Sequence, residues 1–153
     1  ISSAMNVGHP SNLARLIDIF EGVMDEKGNI HQSPDFEKLR KLIVSYTISD
    51  SKTRETILQA YENHKLLIEP HGAVGWAALH NYLHTMEDDH KNKTFVCLET
   101  AHPAKFPEEI NKILNIDPEL PESLKGIEDL EEQYVSIDKA YSVFKNFLKE
   151  NYK

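Results

Sequence analysis

Thr100, His102 and Lys105 put a hydroxyl, an imidazole and an ammonium into one short stretch of chain. They follow directly on Thr94-Phe95-Val96-Cys97-Leu98, a β-branched and aromatic run that reads as a buried strand. Open α/β sheets bind their ligands just past the carboxyl ends of strands, which is where this trio falls. The Thr100 hydroxyl can both donate and accept a hydrogen bond. Lys105 either meets an anion or is a solvated lysine, and spacing alone does not choose between them.

Two further segments carry chemistry. Glu69-Pro70-His71-Gly72-Ala73-Val74-Gly75 sets a carboxylate and an imidazole between a short apolar run and an apolar helix. It reads either as a pocket floored by backbone or as a polar strand exit backed by a close-packed helix. Val7-Gly8-His9-Pro10-Ser11-Asn12 delivers the chain to a helix N-terminus. Such an end can receive an anion, although most capped helices bind none. His80 and His84 share a helix face at metal-chelating spacing. Glu87, Asp88, Asp89 and His90 follow them. Two ligands without the glutamate of a zinc-protease helix read as an exposed polar helix end, and no metal is expected.

The elements that must position these groups follow from periodicity. Ser11 caps a helix with Leu13, Leu16, Ile17, Phe20 and Val23 on one face, and Asp25 to Asn29 is a turn. Ser33-Pro34-Asp35 starts a second helix bearing Phe36, Leu39, Arg40 and Ile43. Residues 43–48, 66–68 and 94–98 read as strands. Ser49-Asp50 caps a helix with Ile57, Leu58 and Tyr61 inward. Residues 73–83 are apolar nearly all round and predict a buried helix, in which Gly75, Ala77 and Ala78 permit close approach. Strand, helix, strand over 66–98 predicts a right-handed βαβ unit with parallel strands. Beyond Pro107 comes a helix with Ile110, Ile113 and Leu114, then a turn-rich stretch, then a helix capped by Ser136.

Composition bounds the function. With 153 residues there is enough chain for one domain with a core. A formal charge of -8 argues against a nucleic-acid groove, which needs a dense basic face. No apolar run approaches bilayer-spanning length and no signal peptide is evident. The single Cys97 lies in an apolar run and fits a reducing, cytoplasmic setting. The chain begins at Ile1 rather than Met, and the expectation is a piece of a longer polypeptide.

Taken together, Val7-Gly8-His9-Pro10-Ser11-Asn12, Glu69-Pro70-His71-Gly72-Ala73-Val74 and Thr100-Ala101-His102-Pro103-Ala104-Lys105-Phe106 resemble three successive motifs of the C-terminal part of threonine synthase. His9 stands where the usual first motif has Asn. The likeness runs from residue 1 to about 115. It implies an α/β fold, the C-terminal portion of a fold type II pyridoxal-phosphate enzyme related to the tryptophan synthase β chain, with few parallel strands and helices around them. Residues 1–115 would belong to the catalytic domain and 116–153 would be a helical tail packed on it. The implied activity is a lyase reaction that converts O-phosphohomoserine and water to threonine and phosphate with pyridoxal 5'-phosphate. Thr100 would meet the ring nitrogen of the cofactor, and Glu69 would lie near the ring. Ser11, Asn12, His102 and Lys105 are the substrate-binding candidates. Lys105 matches a lysine other than the one that holds the cofactor. That lysine and the phosphate loop lie upstream in the family, so an inactive fragment and a partner in the rest of the same polypeptide are expected. The alternatives are a related enzyme acting on another phosphorylated amino acid, or a non-catalytic module keeping this part of the fold.

Overall fold

The computed structural model describes residues 1–3, 10–86 and 92–152. Val7, Gly8 and His9 of the first motif, and Glu87 to His90 beside the histidine pair, lie outside them. The chain forms two units, Ile1–Glu119 and Leu120–Lys153.

In the first unit, α1 (Ser11–Ile19) buries Ile17, with Phe20 buried just past its end. Pro10 rather than Ser11 is the N-cap, and no side chain caps this helix. The helix stops well before Val23 because Glu21 takes a left-handed conformation at φ 65. A Cβ on Gly22 would come within 2.6 Å of Ile17 Cγ2 and 2.9 Å of the Pro34 nitrogen, so only glycine fits that close passage. Val23 instead enters β1 (Val23–Met24), which pairs antiparallel with β2 (Ile30–Gln32). The predicted turn joins them. Asp25 accepts the Lys27 and Asn29 N–H groups, the Asn29 side-chain amide and the His31 ring, while Gly28 takes positive φ. The hairpin was not evident from periodicity, because its strands are too short to alternate.

Helix α2 (Phe36–Leu42) is capped by Asp35, whose carboxylate accepts the Lys38 N–H, so Pro34 precedes the cap instead of occupying the first turn. Helix α3 (Asp50–His64) is capped by Ser49 as its sequence predicts. Its inner face is Thr53, Thr56, Ile57 and Ala60; Leu58 and Tyr61 are not buried. The two threonines turn their hydroxyls back to the Ser49 and Lys52 carbonyls, which makes them acceptable in that face. Helix α4 (Pro70–Thr85) packs along α3, and α5 (Pro107–Leu114) packs against α3 as well. The core between them holds Ile57, Ala60, Ile68, Ala73 and Ile110, edged by Leu67, Trp76, Phe106, Ile113 and Leu114.

The three expected parallel strands are not paired. Residues 43–48, 66–68 and 94–98 join no ladder, and β1–β2 is the sheet found among the described residues. A strand exists by lateral hydrogen bonding, and these segments have no strand beside them to receive it. Several of their apolar side chains stand open, with Val44 57%, Val96 77% and Leu98 76% exposed, while Ile68 is buried in the core.

The second unit holds two single 3-10 turns, Glu122–Leu124 and Ile127–Asp129, and α6 (Tyr141–Asn151). Helix α6 starts at Tyr141 and not at Ser136. Ala140 is its N-cap without a side-chain bond, and Asp138 holds the Ala140 N–H from outside the helix.

Candidate active-site wall at the start of helix α4

Helix α4 begins where Pro70, with its fixed φ and missing N–H, suits the first helical position. Glu69 is the N-cap. Its fully buried carboxylate accepts the His71 N–H at 2.6 Å and the Gly72 N–H at 2.9 Å. The positive end of the helix favours a negative group there. The structure therefore gives the Glu69 side chain a capping task at the base of the site.

Chain 97–99 lies against this same end. The Cys97 thiol sits 3.8 Å from the Gly72 carbonyl and 3.1 Å from where a Cβ on Gly75 would be. Burial, and secondarily the Glu99 carboxylate, push the Cys97 thiol above its ordinary pKa. The Glu99 carboxylate accepts the Glu69 N–H at 2.9 Å. Gly75 thus does what its place in the sequence predicts: without a side chain, it admits a neighbouring segment.

Thr100 follows at once and is exposed, with no hydrogen bond to another described residue. The chain then turns through His102, whose Nδ1 accepts the Ala104 N–H, into a 3-10 turn, Pro103–Lys105. Lys105 is exposed at its end. Phe106 closes the loop edge-on against the His71 ring, centroids 5.2 Å apart and planes at 86°. The Nδ1 atom of His71 lies 2.6 Å from Ser2 Oγ. Loop 100–106 is consequently pinned to the start of α4 at both ends, by Glu99 and by Phe106.

Helix α5 continues from that loop and is held to α3 by a two-pronged ion pair. Arg54 Nε donates to Glu109 at 3.0 Å and Nη2 at 3.2 Å. This contact holds the Glu109 carboxyl below the usual carboxylate range.

The sequence-selected residues divide. Glu69 caps α4, and the loop that carries Thr100, His102 and Lys105 is tied to that helix end through Glu99 and Phe106. Ser11 and Asn12 stand exposed at the start of α1, and no hydrogen bond joins them to this cluster among the described residues. His80 stacks on Trp76 at 5.9 Å, Trp76 also meets the tilted His64 ring, and His84 is exposed. These groups line a groove of about 190 Å³ between α3 and α4. Among the described residues no three His, Cys, Asp or Glu side chains assemble as a metal site. No helix among them is long and apolar enough to cross a membrane. Glu99, Phe106 and Arg54 were missed as residues that hold the site. The available signal was Gly72, which leaves the first turn of α4 without a side chain at its third position.

Residues 72–148 match the family described as threonine synthase, C-terminal. Threonine synthase of Haemophilus influenzae is 36% identical over 124 residues, 81% of this chain and 24% of that protein. Threonine synthase of Buchnera aphidicola (from Acyrthosiphon pisum) is 31% identical over 150 residues, 98% of this chain and 30% of that protein. The chain thus spans roughly a quarter to a third of the length of such relatives. Among solved structures, pyridoxal-phosphate-bound threonine synthase from Brucella melitensis aligns with a TM-score of 0.61 at 20% identity. That alignment takes in 97% of this chain and 33% of the other, which shows the fold: these helices are the C-terminal part of that α/β enzyme architecture.

Proposed function

From the premise that this chain belongs to the threonine synthase C-terminal family, we propose that it forms one wall of the active site of a pyridoxal-phosphate-dependent threonine synthase. The whole enzyme would convert O-phosphohomoserine and water to threonine and phosphate. The rest of its sheet, the cofactor lysine and the phosphate loop would come from the remainder of the same polypeptide, in a cytoplasmic setting. Residues 43–48, 66–68 and 94–98 would become parallel strands when that sheet lies beside them. Residues 1–115 would complete the catalytic domain and 116–153 would pack on it as a tail. This chain alone would be inactive.

The observation that carries the reading is Thr100. Its hydroxyl is exposed and without a hydrogen-bond partner among the described residues, at the end of a segment tied to α4. That donor suits a pyridine nitrogen, and the exposed Leu98 beside it suits an apolar ring face. Pyridoxal phosphate, when bound, supplies an electron sink that makes carbon centres of an amino-acid substrate acidic. Thr100 would hold a neutral hydroxyl at the ring nitrogen and so leave the ring less protonated than a carboxylate would. Glu69 would serve near the ring by fixing the helix end on which that side of the site is built. Lys105 and His102, with Ser11 and Asn12, would bind the anionic substrate. Lys105 is suited to a phosphate or carboxylate as an exposed point charge.

The test is Thr100→Ala in the full-length enzyme, assayed with O-phosphohomoserine. Losing one hydrogen bond to a polar ring atom costs about 1–3 kcal/mol, so kcat should fall roughly ten- to a hundredfold. Cofactor affinity should change little, and Thr100→Ser should restore most of the rate. Wild-type turnover by folded Thr100→Ala would overturn the assignment. Turnover only with a different phosphorylated amino acid would overturn the substrate.

A further inference from the structure

We propose that Glu99 is a positioning residue for Thr100, acting as the missing member of a capping box on α4. This rests on the reading of Thr100 given above.

In a capping box the N-cap side chain accepts an N–H of the first turn, and a Glu or Gln at the third helical position reaches back to the N-cap N–H. Helix α4 has the first half: Glu69 accepts the His71 and Gly72 N–H groups. The second half is impossible locally, because the third helical residue is Gly72. Glu99 supplies it from another segment, since its carboxylate accepts the Glu69 N–H at 2.9 Å. It also occupies the space of the missing side chain: a Cβ on Gly72 would lie 3.1 Å from Glu99 Cγ. Glycine at 72 and glutamate at 99 are one device divided between two segments. The residue after Glu99 is Thr100, so the contact that completes the helix cap also fixes where the Thr100 hydroxyl stands. Phe106 on His71 holds the far end of the loop, and it cannot set Thr100 alone across the intervening turn.

Displacing a polar contact by about 1 Å can cost on the order of a hundredfold in rate. In the full-length enzyme with its cofactor, E99A should lower kcat by roughly ten- to a hundredfold and shift the absorption maximum of the bound cofactor in the same direction as T100A. KM for O-phosphohomoserine should change less than kcat. E99Q keeps an oxygen acceptor at the same reach and should retain kcat within about threefold. Ile57→Val, a core change that lowers melting temperature without touching this end of α4, should leave kcat and the absorption maximum unmoved. If E99A does not fold, E99D withdraws the acceptor by one methylene and should show the same losses.

Wild-type kcat and absorption in E99A, alongside an impaired T100A, would overturn the role of Glu99 and leave that of Thr100 standing. E99Q as impaired as E99A would also overturn it, because charge rather than acceptor position would then matter. An unimpaired T100A would remove the reading of Thr100 and this inference with it.

Discussion

Glu69 organises the backbone at the start of α4 through a single side chain. Its carboxylate is fully buried yet satisfied, with two N–H groups donating to it at the positive end of α4. Truncation leaves the buried Gly72 N–H and the part-buried His71 N–H without their acceptor. Glu69→Ala should therefore lower stability by about 1–2 kcal/mol, the upper part of the range for a lost N-cap. Urea denaturation of the full-length protein measures it. A change below a few tenths of a kcal/mol would mean that the cap is redundant. Glu69→Asp, a good N-cap with a shorter reach, should recover a large share of the loss.

At the scale of elements, α3 is the post to which α4 and α5 are tied. Its contact with α4 is apolar, centred on Ile57, Ala60 and Ala73. Its contact with α5 adds the Arg54–Glu109 pair, which lies partly out of water. The bond from Arg54 depresses the Glu109 pKa. A carboxyl depressed on folding contributes stability that is present above its unfolded pKa and is lost as pH falls through the folded one. Asp35 acts in the same sense, held down first by the Lys38 N–H at the cap of α2. Stability should thus fall as the pH drops below about 4, the ordinary carboxylate range. Glu109→Gln should flatten part of that acid slope while lowering stability near neutrality. Melting temperature against pH, compared between wild type and Glu109→Gln, checks both. Identical slopes would show that the pair contributes nothing to the acid transition.

The molecule as a whole presents a completed helix end beside incomplete strands. Glu99 on Glu69 and Phe106 on His71 tie the loop that carries Thr100 to the start of α4, while Val44, Val96 and Leu98 remain open. On the proposed reading, this wall would hold little cofactor by itself, because the cofactor lysine would come from the remainder of the polypeptide. The 153-residue chain mixed with pyridoxal phosphate and treated with borohydride should carry no stoichiometric cofactor on any one lysine. Mass spectrometry of the treated chain decides it. A single lysine fully modified would show that the chain contains its own cofactor anchor.

What the sequence determined by itself was local. Ser49 before α3, the Asp25–Asn29 turn and the burial of Ile57 and Ile110 follow from capping chemistry and apolar spacing within a few residues, whereas α4 begins at Pro70, ahead of the expected Ala73, because Glu69 caps it. The three motifs were legible because their order and spacing are together far more specific than any one of them, and the family match agrees. Helix limits set by tertiary contact were not legible. Helix α1 ends early where Glu21 turns left-handed and Gly22 passes close to Ile17 and Pro34. Residues 43–48, 66–68 and 94–98 have strand composition but no ladder, because pairing depends on what lies alongside. Only the tertiary structure decided the partnership of Glu99 with Glu69 and Gly72. A capping box is readable when its members are three residues apart, and sequence periodicity gives no sign of one whose halves lie thirty apart.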